Sequence, residues 1–380
     1  MITPRERVLC ALNHEEPDRV PMFFGTFGPA SMLVPAYERL KSALGLKIET
    51  RYMSRGFQYA RIDEEVLQHL HSDGRLLLAG IAPSVLSKDI SANAFIDEWG
   101  VTWRRDPMSL YFEAIEAEAP LRDATIDDLN KYLWPDLSHP SRFNGLAAEA
   151  STIQQKGYAV VTRGHFLFEQ IQRMRGMANW LTDLAADPEF AHALLRRVTD
   201  LMKAGLTGLL RAAGQNIDVI FMGDDLGAQN APLISPNMYR LIVKPYHAEL
   251  IATIRALSKA KIMYHSDGNV IPLLEDFIDV GVDILNPIHV AAKDMGDTAR
   301  LKRQFGDRLS FCGGIDTQRV LPYGTPDDVR REVRQRIKDL APGGGYICAS
   351  VHCLQPDVPL ENVYAMFDEA VKSGKYPISI

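Results

Sequence analysis

Eight short apolar or β-branched runs, each ending at or beside glycine, aspartate, histidine or asparagine and leading through a polar turn into a longer helical pattern, constrain this chain more than any other feature. They cover residues 19–25, 74–79, 158–162, 218–222, 261–264, 282–286, 309–312 and 346–350. Strand and helix alternating eight times predict an α/β fold of the (β/α)8 TIM-barrel type. A doubly wound open sheet is the alternative, but no Gly-x-Gly-x-x-Gly follows the first run, and Gly343-Gly344-Gly345 precedes a strand instead of a helix.

Local signals agree with that plan. Thr3-Pro4-Arg5-Glu6 has the form of a capping box with proline at the first helical position, which predicts a helix through Leu12. Ser235-Pro236, Thr325-Pro326 and Pro359 open others, the last placing Val363, Met366, Phe367 and Val371 on one face. Between the second and third runs, residues 95–105 and 110–116 are strand-like around Gly100, which predicts a β-hairpin insertion over one barrel end. No shift in composition marks a boundary, so residues 1–380 read as one barrel domain.

Composition narrows the partners. The 42 Lys+Arg against 48 Asp+Glu leave a net charge of -6, which supplies no field for a nucleic-acid backbone. No segment approaches the roughly 20 uninterrupted apolar residues of a membrane span, and no secretory leader is evident. Cys10, Cys312, Cys348 and Cys353 are too few for a disulfide framework. The expectation is a cytoplasmic protein that acts on a small molecule.

In such a barrel the chemistry sits where strands end, so the residues just after each run are the candidates. His265 and Asp267 are two apart and share a face if the strand continues, and His352 and Cys353 follow the eighth run on the same rim. Imidazole, carboxylate and thiolate converging with an open position suit a catalytic zinc; the competing reading is that the first two bond loop backbone and that Cys353 is a small buried hydrophobe. Asp224 and Asp225 are a possible acid/base pair, of which only one enters the mouth; Asp224 or Asp225 is a candidate for orienting substrate or ligand, against the competing reading of a helix cap. Arg163 is a candidate clamp for a substrate carboxylate, against a rim ion pair. Phe24, Phe27, His165, Asn286 and His289 are candidate substrate contacts at the same strand ends.

The segments Thr-Pro-Arg-Glu-Arg-Val at 3–8, Pro-Asp-Arg-Val-Pro at 17–21, Asp-Glu-Trp-Gly-Val at 97–101, His-Ser-Asp-Gly-Asn at 265–269 and Gln-Pro-Asp-Val-Pro-Leu-Glu-Asn at 355–362 together resemble the uroporphyrinogen decarboxylase superfamily. That superfamily contains the decarboxylases of haem synthesis and zinc- and corrinoid-dependent methyltransferases. The resemblance implies a (β/α)8 barrel and a homodimer, for which Trp180, Met177 and Phe190 are the interface candidates. The decarboxylases carry an arginine-rich porphyrinogen-binding segment where this chain has Met22-Phe23-Phe24-Gly25-Thr26-Phe27-Gly28. Ser72-Asp73-Gly74-Arg75 is the approximate match to the segment of their essential aspartate. The methyltransferases hold zinc with His-x-Cys and a later cysteine. Here the first motif reads His265-Ser266-Asp267, and His352 falls on the later ligand with Cys353 beside it.

The resemblance, taken with these residues, implies a methyltransferase or demethylase in which zinc on His265, Asp267 and His352 or Cys353 polarises a heteroatom during methyl transfer to or from a corrinoid (cobalamin) carried by a partner protein. The rivals are a metal-free decarboxylase of a tetrapyrrole or smaller acid, using Asp73 or Asp224 with Arg163, and a non-catalytic tetrapyrrole- or corrinoid-binding barrel.

Overall fold

Seven of the apolar runs are buried along almost their whole length, the pattern of strands covered on both faces by a parallel α/β architecture. In this computed structural model, which describes Ile2 to Ser379, they are β1 (Gly74–Leu77), β2 (Ala159–Arg163), β3 (Val219–Gly223), β4 (Lys261–His265), β5 (Ile284–Asn286), β6 (Ser310–Ile315) and β7 (Tyr346–Ser350). Each pairs in parallel with its neighbours in chain order, giving one curled seven-stranded sheet of TIM type.

The remaining run, the first in chain order, does not form a full strand. Of the expected strand over 19–25, one parallel bridge remains, Met22 to Cys348. Pro17 and Pro21 lack donors, and Gly25 turns the chain at a φ of +68°. The segment nevertheless spans the gap between the sheet edges. Phe23 donates its N–H to Cys348 at 3.1 Å on one side, and Asp73 donates its N–H to the Met22 carbonyl at 2.8 Å on the other.

Side chains alternate along each strand, so one set fills the barrel and the other meets the helices. Phe23, Phe27, Val161, Phe221, Met263 and Ile347 belong to the small inner cluster. The larger outer cluster packs against helices such as Pro188–Ala213, whose Asp187 cap accepts from the Phe190 N–H at 3.1 Å. Trp180 and Phe190, the proposed interface residues, lie in that outer core at 0% and 3% exposure, while Met177 is exposed. In place of the single hairpin expected after β1, four antiparallel strands form over Lys88–Ser91, Ala94–Ile96, Thr102–Arg104 and Glu113–Ala114. The Asp97 carboxylate holds the central turn by accepting from the Trp99 and Val101 N–H groups and from Trp103 Nε1. No helix among the described residues is long and apolar enough to cross a membrane.

Asp73 lies at the start of β1, at the opposite end of the barrel from the strand C-termini where it was expected to act. Its carboxylate accepts from Arg7 at 2.6 Å, from Arg19 at 2.9 and 3.0 Å, and from the Met22 N–H at 2.8 Å. Asp218 before β3 and Asp283 before β5 do the same for the neighbouring strand, accepting from the Val160 and Ile262 N–H groups. These are structural acids at the barrel floor. Replacing Asp73 with Ala leaves the largely buried Arg19 guanidinium without a carboxylate and Arg7 with Asp18 alone, and we expect a loss of about 3–5 kcal/mol in urea unfolding.

Candidate metal centre

Strand alternation aims the key residues inward. Val161 and Arg163, Phe221, Met263 and His265, and Ile284 and Asn286 fall on the barrel-lining positions of β2 to β5. The β4–β5 register sets His265 directly beside Asn286. His265 Nδ1 donates to Asn286 Oδ1 at 2.8 Å, and Asn286 Nδ2 in turn donates to the Cys312 carbonyl at 3.2 Å. With the amide oriented by Cys312, the imidazole proton belongs on Nδ1 and the Nε2 lone pair points away.

Nε2 faces two carboxylates, Asp225 Oδ1 at 3.6 Å and Asp267 Oδ2 at 3.9 Å. The ligand atoms of Asp225, His265 and Asp267 all lie within 4.8 Å of one another, an arrangement that can hold a metal ion. The loops after β3 and β4 are locked together to achieve this. Asp225 accepts from the Asp267 N–H at 2.8 Å, and Gly227 and Gly268 pass so closely that a Cβ on either would collide with the other's backbone. Gly268 also sits at a φ of +86°, so its identity is set twice over.

Electrostatics favour cation binding. Burial alone would raise the Asp267 carboxyl, but the imidazoles of His289, His265 and His352 hold it well below the ordinary carboxylate range. Burial opposes a charged His265, yet Asp225, Asp267 and Asn286 hold its pKa above the usual value. His289 Nδ1 lies 3.3 Å from Asp267 Oδ1 and 3.0 Å from the Gly268 N, and in the tautomer whose Nδ1 accepts from the Gly268 N–H, Oδ1 is buried with no hydrogen-bond donor. A buried carboxylate oxygen left without a partner is the site's strongest indication that a cation completes it.

The cluster borders a cavity of about 140 Å³ walled by Phe27, Phe57, Tyr59, Phe166 and Phe221, with Arg163, Glu169, Arg173 and His352 among its polar lining. His352 is across the cavity, its ring centre 6.4 Å from that of His265. Burial lowers the His352 pKa, but Cys353 and Asp267 outweigh it and push it up to about 9.

Several expected site residues lie elsewhere. Cys353 is 4% exposed and stands outside the three-residue cluster. Asp224 points outward, because successive residues face opposite ways; it accepts from the Glu169 N–H at 2.9 Å and contacts His247 Nε2 at 2.8 Å, capping helix Leu167–Arg175. Phe24 packs edge-on against Phe367, behind the barrel wall. His165 does not line the cavity and is pushed down to about 3 by burial and by Arg163. Asn286 and His289 support the cluster instead of lining the cavity. Glu169, Arg173 and Tyr59 were not anticipated: the first two come from a helix beyond the strand end, and Tyr59 from the Tyr59–Arg61 strand of a separate two-stranded sheet. No strand-end pattern marks them.

A sequence model of the family described as "Uroporphyrinogen decarboxylase (URO-D)" matches residues 169–373, more than half of the chain. The chain belongs to the URO-D family. Relatives include a uroporphyrinogen decarboxylase of Coxiella burnetii, 26% identical over 200 residues that make up 50% of this chain and 49% of the relative. A methylcobamide:CoM methyltransferase of Methanosarcina barkeri is 24% identical over 248 residues, 60% of this chain and 68% of the relative. The chain thus spans about half the length of several curated relatives it matches. Among solved structures, a methyltransferase from Methanosarcina mazei superposes over 98% of this chain and 99% of its own, with a TM-score of 0.66 at 16% identity, and so shares the fold.

Because Asn286 fixes the tautomer and aim of His265, Asn286→Ala should weaken zinc binding about 10- to 100-fold in competition with a chromophoric chelator. Asp224→Ala should leave that affinity within about threefold while lowering the melting temperature, since it removes the acceptor of the Glu169 N–H and a helix cap contributes about 1 kcal/mol.

Proposed function

We propose that this chain is a metal-dependent methyltransferase or demethylase that moves a methyl group between a small substrate and a corrinoid carried by a partner protein. The observation that carries the reading is the convergence of His265 Nε2 with the Asp225 and Asp267 carboxylates, one oxygen of which is buried without a donor. One imidazole and two carboxylates fit zinc with a coordination position left for substrate. Bound there, zinc supplies Lewis-acid polarisation of the methyl-bearing heteroatom.

The chain's own residues do the rest. Asp225, His265 and Asp267 hold the ion, and Asn286 keeps His265 Nε2 turned toward it. The Phe27, Phe166 and Phe221 rings exclude water from one side, where Phe27 stacks on Phe221 at 4.4 Å. Arg173 is neutralised by its ion pair with Glu169.

Decarboxylation of a tetrapyrrole fits this cavity poorly. A porphyrinogen carries several carboxylates and four pyrrole rings, whereas a space of about 140 Å³ is close to the roughly 150 Å³ that accepts one benzene molecule. Asp73, the decarboxylase candidate, is also at the far end of the barrel.

Elemental mass spectrometry on the purified chain tests the reading, followed by absorbance assays of cob(I)alamin methylation with oxygen-, nitrogen- and sulfur-methyl donors. We expect near-stoichiometric zinc in the wild type, its loss in His265→Ala and Asp225→Ala, and zinc-dependent methylation. Absence of metal after zinc loading and dialysis, with carbon dioxide released from an added acid, would instead establish a metal-free decarboxylase.

A further inference from the structure

The loop before β7 carries three successive glycines, Gly343, Gly344 and Gly345, each at a φ of +76°, and residues 14–16 are seated on it. Gly345 donates its N–H to the Ala11 carbonyl at 2.7 Å, Gly343 donates its own to Glu16 Oε1 at 2.9 Å, and a Cβ on Gly344 would collide with the Glu15 backbone. A Cβ on Gly345 would lie 3.0 Å from His14 Nδ1 and 3.3 Å from Lys302 Nζ. The missing side chain therefore leaves an imidazole and an amine facing one small space.

Lys302 Nζ, on helix Thr298–Phe305, donates to the Gly344 carbonyl at 2.6 Å, and no carboxylate among the described residues pairs with it. His14 Nδ1 is buried without a hydrogen-bond partner, while the Gly306 carbonyl acts as an acceptor for the ring, which places the proton on Nε2 and leaves a lone pair on Nδ1. Burial, with Lys302 and Lys261, holds the imidazole below its usual pKa, and burial alone does the same to the Lys302 ammonium. An amine with no carboxylate to keep it charged, set beside a neutral imidazole, is the arrangement of a nucleophilic lysine. Both residues are partly exposed, so a small reagent can reach the pair.

We propose that Lys302 is a modification site that takes a small acyl group from an acyl phosphate or a thioester, with His14 as the base. His14 Nδ1 removes one proton from the Lys302 ammonium, and the freed lone pair forms the C–N bond at the acyl carbon. The C–O bond to phosphate, or the C–S bond of the thioester, breaks with its electron pair, and the departing phosphate or thiolate takes the second amine proton. Lys261 acts on the same imidazole more strongly than Asp307 does, which favours donors that carry phosphate. The pair lies at the barrel floor, opposite the metal cluster, and is independent of the chemistry proposed there.

The test is incubation of the full chain with acetyl phosphate and, separately, with acetyl-coenzyme A, for wild type, His14→Asn and urea-unfolded wild type, with acetylation rates read lysine by lysine by peptide mass spectrometry. Asn tolerates the left-handed backbone of residue 14, at a φ of +59°, without supplying a base. In the folded wild type Lys302 should react about 10-fold faster than the exposed Lys47 and Lys88 with at least one donor, and the donor that gives the excess identifies the source. The excess should vanish both in His14→Asn and in urea. Should circular dichroism show that His14→Asn does not fold, the comparison of folded with unfolded wild type decides. Reaction at Lys302 no faster than at Lys47 and Lys88 with both donors, or an excess that survives in folded His14→Asn or in urea, would overturn the proposal.

Discussion

The Asp73 carboxylate, held by Arg7 and Arg19 while it accepts from the Met22 N–H, joins the edges of the sheet where strand pairing fails. Seven strands make regular ladders, but the segment that occupies the eighth position carries prolines and makes a single parallel bridge to the sheet. A side-chain network therefore substitutes for part of a ladder. Because a barrel interior packs only when its wall is continuous, the inner cluster of Phe23, Phe27, Phe221 and Met263 depends on this seam, and so does the depth at which His265 sits above it.

The two barrel ends treat their carboxylates in opposite ways. At the floor, Asp73, Asp218 and Asp283 are supplied with backbone N–H groups and with arginines, and their charge is spent on holding strands together. At the mouth, Asp225 and Asp267 face an imidazole at more than hydrogen-bonding distance, and Asp267 retains a buried oxygen with no donor. Saturated acids stabilise a fold, whereas a carboxylate with a buried oxygen left without a donor stores a demand for a cation. Only the second arrangement is available for chemistry.

The repeat of apolar runs and helical segments was enough to expect a (β/α)8-type sheet, because periodicity and turn residues act locally. Helix starts at Thr3 and Thr325 were legible for the same reason: each forms a capping box within four residues. The weak eighth strand was harder to read, since residues 19–25 are apolar enough and only their partners reveal the missing ladder. Likewise, Asp224 and Asp225 are chemically identical in sequence. Their separation into a helix cap and a cluster residue follows from which way each faces at the end of β3.

What the sequence alone determined was the set of residues presented at the strand ends, His265, Asp267 and Arg163 among them, because a period of two and the position of each run depend on nothing distant. What only the tertiary structure decided was their partnership. The β4–β5 register put Asn286 behind His265, the close crossing at Gly227 and Gly268 brought Asp225 to Asp267, and a helix delivered Glu169 to neutralise Arg173 while leaving Arg163 free. Contacts between residues tens of positions apart depend on register and loop geometry, which local pattern does not encode.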